Sequence, residues 1–146
     1  MKELIILLDK DLGYVGHEII GDTMYVHVES VRESAKCPYC GAQSNRVHSR
    51  YERRFSDLPM QGKKVEIIIN NRKMFCGNPG CSHKTFAETF GCLPFKGKRS
   101  KRLTEEIVRI SLEVSSVTAS SILEKNTAKV GKSTICNLLK KSRTQN

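Results

Sequence analysis

Two cysteine pairs, Cys37-Pro38-Tyr39-Cys40 and Cys76-Gly77-Asn78-Pro79-Gly80-Cys81, stand 35 residues apart in this chain. A short loop between paired thiolates lets one turn supply two ligands, and two such turns complete the tetrahedron that zinc prefers, with sulfur at about 2.3 Å. Pro38 fixes the backbone of the first turn, and Gly41 supplies the positive φ that a metal knuckle commonly needs. Gly77 and Gly80 are expected to serve the second turn in the same way. Because the second loop is longer than a two-residue spacer, His83 stands as a rival to Cys81 for the fourth position. Cys92 and Cys136 fit no such spacing and are expected to be half-buried thiols. Four thiolates on one divalent ion leave a charge of −2, which Lys36, Arg72, Lys73 and Lys84 are placed to offset.

At 146 residues the chain fits one domain or two small ones, and a β-rich piece below about 100 residues buries little core of its own, so a metal staple would compensate. No apolar run approaches the ~18 residues of a membrane span, and Leu4 to Leu8 lacks the basic flank of a signal peptide. The expected setting is a reducing cytoplasm, with no membrane partner and no small-molecule substrate, since the cysteine spacing suits metal better than a disulfide framework. Charge is uneven: residues 1–31 hold two basic and six acidic side chains, residues 32–146 hold 23 and nine, which is +14 beyond Val31. Zinc and four ionised thiolates would lower this to about +12. So large a field points to a polyanion.

Tyr14 to Ile20 and Met24 to Val31 read as strands about a Gly21-Asp22 turn, and the first 30 residues as short strands throughout. From Arg46 to Phe55, alternation puts Val47, Ser49, Tyr51, Arg53 and Phe55 on one face and His48, Arg50, Glu52 and Arg54 on the other. The run Lys63 to Phe75 places Val65, Ile67 and Ile69 together, with Pro59 and Gly62 marking the turn before it. Tyr39, Tyr51 and Phe55 are expected in core or knuckle packing, and His48 on a solvated strand.

Lys96 to Arg102 carries five positive charges in seven residues around a glycine and reads as a linker. Beyond it Leu103, Ile107, Ile110 and Val114 share a helical face, with Thr104-Glu105-Glu106 as a capped first turn. Further helices are expected over Thr118 to Lys125 and Lys132 to Lys141, the latter with Ile135, Leu138 and Leu139 inward and Ser133 or Thr134 near its start. The expected fold is α+β: a β-rich zinc-ribbon-like domain over residues 1–95, then a three-helix, helix-turn-helix-like domain over 96–146. In such a domain Ser133, Thr134, Asn137, Lys140 and Lys141 would face DNA. The Asn126 to Gly131 connection is longer than the standard turn, and a dimerising bundle is the competing expectation.

The order Cys37-Pro38-Tyr39-Cys40-Gly41, Val47-His48-Ser49-Arg50-Tyr51, Asp57-Leu58-Pro59, Gly62, Arg72-Lys73-Met74-Phe75-Cys76, Asn78-Pro79-Gly80-Cys81 and Thr85-Phe86-Ala87-Glu88 resembles the N-terminal zinc-finger region of insertion-sequence transposases of the ISL-three family. The resemblance spans about 55 residues, and the helices after Arg102 are similar in position to that family's helix-turn-helix. It implies zinc on Cys37, Cys40, Cys76 and Cys81, and binding to the terminal inverted repeats of a mobile element. That family's ribonuclease-H-like catalytic domain would follow the helices, whereas this sequence ends at Asn146. The only aspartates, Asp9, Asp11, Asp22 and Asp57, all lie upstream. No residue matches the acidic triad, so the expected role is non-enzymatic and nucleoid-associated.

Double-stranded DNA is the expected partner. Arg46, Arg50, Arg53, Lys98 and Arg99 would contact phosphates, as would Lys101, Arg102 and Lys140, while Lys132 and Asn137 would read base edges. The rival is a protein-interaction module, pairing with itself or a full-length transposase as a dimer. A redox dithiol would need a strand-to-helix setting for its Cys-x-x-Cys pair. Gly131-Lys132-Ser133 ends like a phosphate loop, but Asn126 stands where that loop needs glycine.

Overall fold

The computed structural model describes residues 1–114, 116–126 and 131–144. Among the described residues, four helices, α1 (Lys2–Leu8), α2 (Lys101–Glu113), α3 (Ser116–Asn126) and α4 (Lys132–Thr144), accompany seven strands. These are β1 (Leu12–Ile20), β2 (Thr23–Ser30), β3 (Ala35–Lys36), β4 (Gln43–Ser44), β5 (Val47–Met60), β6 (Lys63–Phe75) and β7 (Thr85–Ala87). The fold is α+β. One sheet runs β1-β2-β6-β5 with β7 also pairing to β6, and β3-β4 form a separate two-stranded sheet. Compact packing defines two interleaved units, residues 1–17, 26–54 and 68–91 in one, and 18–25, 55–67 and 92–146 in the other. The second therefore takes in pieces that precede residue 95.

In the first unit Val26 and Val28 of β2 are buried at alternate positions, the mark of a strand with one face on a core. The inner strand β6 has buried side chains on both faces here, with Ile68, Ile69, Asn71, Arg72 and Met74 all inward. The N-terminus departs from expectation. Residues 2–8 are a helix, because Ile5 and Leu8 fall three apart on one face and are buried, and Leu, Lys and Glu are good helix formers. Glu88 is fully buried and takes Arg72 Nε and Nη2 at 2.9 Å each, with the Ser30 hydroxyl donating at 2.7 Å. Arg32 bridges onward to Asp11 at 2.9 Å and to the Thr89 carbonyl at 2.7 Å.

In the second unit the β5–β6 turn falls on Gln61-Gly62, both at positive φ, the geometry that two-residue hairpins favour. Pro59 is inside β5 rather than in the turn. β5 ends the strand order, and an edge strand tolerates a residue without an N–H. Leu103, Ile107, Leu123 and Ile135 form the helical core, with Leu58, Ile110, Val114, Leu138 and Leu139 packed on it. α2 begins one turn earlier than expected: Ser100, not Thr104, is its cap, accepting the Leu103 N–H at 3.2 Å. The same hydroxyl donates to buried Asp57 at 2.7 Å, and Asp57 also holds Arg102 at 2.5 and 2.8 Å. Residues 98–100 are pinned to Ser56 by Ser56 N–H to Lys98 O and Ser100 N–H to Ser56 O, each 2.9 Å. The basic run is therefore built into the fold and is not a free linker. α3 and α4 extend to Ser116–Asn126 and Lys132–Thr144. Residues 127–130 of the Asn126 to Gly131 connection lie outside the described residues.

Removing a partner from a buried ion pair leaves the other charge desolvated, so Glu88→Ala should cost about 3–5 kcal/mol. Asp57→Ala should cost less, about 1–3 kcal/mol, because Arg102 can turn to water. Urea unfolding of both variants checks this, and a Glu88→Ala loss under about 1 kcal/mol would show that the Arg72 pair does not hold the fold.

Candidate zinc centre and basic surface

Each cysteine pair is delivered by a hairpin end. β3 and β4 pair Ala35 with Ser44 and Lys36 with Gln43, and the turn between them closes through Cys37 N–H to Ala42 O and Gly41 N–H to Cys37 O, each 2.8 Å. Gly41 has φ of 82°, as its place after Cys40 requires. The second pair lies between β6 and β7, which pair Phe75 with Thr85. That turn is closed by Cys76 N–H to Lys84 O at 2.8 Å and Cys81 N–H to Asn78 O at 3.1 Å. Gly77 and Gly80 are not at positive φ here. Instead the Asn78 side chain accepts the Gly80 N–H at 3.0 Å and turns the chain.

The four Sγ atoms lie within 4.8 Å of one another and are free thiols. Cys37 to Cys81 is 3.9 Å and Cys40 to Cys76 is 3.5 Å. A tetrahedron with about 2.3 Å metal–sulfur bonds has edges of about 3.8 Å, and these two distances bracket that value, so the donor set suits zinc. Cys37 is buried with Ala35, Met74 and Phe86, and Cys76 and Cys81 pack against that cluster. Cys40 is exposed.

N–H donors reach three of the sulfurs, with unequal results. The backbone N–H of Ala42, then the Asn78 side chain, holds the Cys40 thiol down to about 6. The backbone N–H of Asn78 lowers Cys76, but desolvation and bonds to the neighbouring sulfurs outweigh it and carry it up to about 12. Cys81 is likewise raised despite the His83 N–H, which donates to its sulfur at 3.4 Å. His83 lies outside the four-sulfur cluster: its ring stacks on Tyr39, centroids 3.5 Å apart and 7° from parallel, and its Nδ1 meets Ser82 Oγ at 2.9 Å. Tyr39 and Tyr51 are half exposed, whereas Phe55 is buried as expected. Arg72 offsets Glu88 rather than the thiolates.

The centre defines a four-cysteine zinc ribbon of two hairpins. Residues 33–85 match the family described as the zinc-finger of transposase IS204/IS1001/IS1096/IS1165. That segment is thus similar to a transposase zinc finger, and zinc is its cofactor. No curated protein and no solved structure matches the chain.

The expected basic contacts divide by environment. Arg46 and Arg50 are exposed on the β5 side of the finger and Arg53 is half-buried. The Arg46 guanidinium lies 5.2 Å above the Phe75 ring, and His48 meets that ring edge-on at 4.9 Å. Lys98 and Lys101 are exposed and Arg99 is partly buried beside Ser56. Arg102 is committed to Asp57, and that bond raises its pKa further, so it is a structural arginine. On α4, Lys132, Ser133, Asn137, Lys140 and Lys141 are exposed and Thr134 is partly buried. Sequence reasoning missed the Arg72–Glu88 and Arg102–Asp57 pairs. Their signal was a lone acidic residue within each otherwise basic stretch. Among the described residues no helix is long and apolar enough to cross a membrane.

Cys76→Ser should reduce bound zinc from one per chain to a trace and melt the β3–β4 and β6–β7 hairpins, whereas His83→Ala should keep the metal. Elemental analysis with circular dichroism reads both. Because protons compete for thiolates, zinc loading should release protons and weaken as pH falls. A metal-free Cys76→Ser protein of unchanged stability would contradict the structural role.

Proposed function

We propose that this chain is a DNA-binding portion of a transposase, recognising the terminal inverted repeats of an insertion sequence through its zinc finger and a helix-turn-helix formed by α3 and α4. The observation that carries this is the four-sulfur centre of a transposase-type finger inside a segment of net charge +14. Its role is binding rather than catalysis, in a cytoplasmic, nucleoid-associated setting. In α4 the spacing of Ser133, Asn137 and Lys140 makes an exposed stripe opposite Ile135, Leu138 and Leu139, which is how a recognition helix divides core from groove. Lys132 and Lys141 flank that stripe. Arg46, Arg50, Lys98 and Lys101 supply phosphate contacts that fix register, and Asn137 reads base edges.

A dimerising role is favoured by one feature, a cavity of about 430 Å³ on α2 and α4 lined by Val108, Leu112 and Leu138 with Glu105, Arg109 and Lys141 at its rim. Salt separates the two roles. Arg46, Arg50, Lys98 and Lys101 together with Lys140, about five phosphate contacts in all, predict a log–log slope of about −4.5 for duplex affinity against salt. Lys140→Ala should make that slope shallower by about 0.9, and Asn137→Ala should relax the consensus selected from a random duplex pool. Fluorescence anisotropy reads the first and sequencing the second. A duplex affinity indifferent to salt would leave the protein-interaction role standing.

A further inference from the structure

Between Cys92 and Lys101 the chain makes a closed excursion whose base is the Lys101 N–H to Cys92 O bond at 2.8 Å. Leu93 anchors it, 5% exposed, and the bonds of residues 98–100 to Ser56 hold its returning limb on β5. Its tip is a β-turn, Pro94 to Gly97, closed by Gly97 N–H to Pro94 O at 2.8 Å. Two features make this turn costly. Lys96 sits at φ 59°, in the left-handed region that turns of this kind normally give to glycine or asparagine. Gly97 is packed so closely that a Cβ there would lie 2.9 Å from the Pro94 carbonyl oxygen. Backbone strain of this sort persists where the surrounding structure imposes it, and it clusters at ligand-contacting positions.

What the turn presents is Phe95, 62% exposed, with Lys96 Nζ 5.6 Å from its ring centroid. A lone apolar residue on a surface ordinarily calls for no explanation. This one stands at the head of Lys96, Lys98, Arg99 and Lys101, on a turn closed by a backbone hydrogen bond. An aromatic ring projected from a cationic rim matches the wedges that proteins insert between base steps, where flanking cations hold the phosphates while the ring replaces lost stacking.

We propose that Phe95 is a base-stacking wedge: the Pro94–Gly97 turn inserts its ring between adjacent base pairs of duplex DNA while Lys96 and Lys98 hold the phosphates on either side. This rests on the DNA-binding role given above. It adds that part of the affinity comes from neither the finger nor α4, and that the bound duplex is kinked at a flexible pyrimidine–purine step.

The probe is mixed-sequence duplex DNA containing TA and CA steps, with heparin as a polyanion that has no bases. Phe95→Ala should weaken duplex binding about tenfold to a hundredfold, leave the salt slope unchanged because no phosphate contact is lost, and leave heparin affinity and thermal stability as in the parent. Lys98→Ala should do the converse, lowering the slope by about 0.9. The sequence contains no tryptophan, so F95W gives a single tryptophan that can be excited apart from the tyrosines, and duplex DNA should quench its emission while heparin should not. Equal duplex binding by F95A, an equal loss toward heparin, or unchanged F95W emission on duplex would each overturn the wedge while leaving DNA binding intact. A parent protein that binds no duplex would instead defeat the DNA-binding role itself.

Discussion

Four sulfur atoms gathered from two turns are the constraint on which the finger depends. β3 and β4 have two residues each and β7 has three, and hairpins of that size are marginal in water without further support. The local apolar cluster of Ala35, Cys37, Met74 and Phe86 is small. A divalent ion joining Cys37 and Cys40 to Cys76 and Cys81 closes a long loop that so few side chains would hold poorly, and the free energy of ligation becomes free energy of folding. The knuckle N–H groups matter for the same reason. They hold the Cys40 thiol down to about 6, whereas at Cys76 and Cys81 desolvation and the neighbouring sulfurs outweigh them, so there the metal itself must favour the thiolate.

The helical unit solves the same shortage of core differently. Among the described residues, Leu103, Ile107, Leu123 and Ile135 are the fully buried apolar side chains at its centre, with α3 contributing Leu123 while Val117 lies exposed. Polar pinning supplements this. Asp57 holds Ser100 and Arg102, so one buried carboxylate fixes both the cap and the first turn of α2, and Leu58, the next residue of β5, packs on the helical core. A helix start anchored by a strand side chain is more defined than one set by propensity alone.

Signals carried by neighbours in sequence were legible. The paired cysteines, the Lys63 to Phe75 strand, the Gly41 knuckle and the inward face of Leu103 and Ile107 all depend on spacing within a few residues. The misplacements share a different cause. Ser100 outcompetes Thr104 as a cap because Asp57, 43 positions away, orients its hydroxyl. Pro59 stays in a strand because β5 lies at the end of the strand order, which no local pattern reveals. The basic run from Lys96 looked like a linker by composition alone, and its bonds to Ser56 are invisible without the fold. Helix α1 escapes a local reading because its apolar run, Leu4 to Leu8, is five residues long and shows too little period to separate helix from strand.

Composition also hides how unequally the positive charges are employed. Arg72, Arg32 and Arg102 are drawn inward by Glu88, Asp11 and Asp57, and in the Arg72–Glu88 and Arg102–Asp57 pairs a planar fork gives geometry that a lysine could not reproduce. Those arginines contribute to the formal charge but hold the fold together. The exposed cations are a different set, Arg46 and Arg50 on the finger, Lys98 and Lys101 beside the Phe95 turn, and Lys132 and Lys140 on α4. Substituting an inward arginine would disturb the scaffold and, through it, every surface at once, whereas substituting an outward cation changes the electrostatic field locally. The distinction between those two effects, stability against salt dependence, is what separates a structural charge from a recognition charge in a chain as basic as this one.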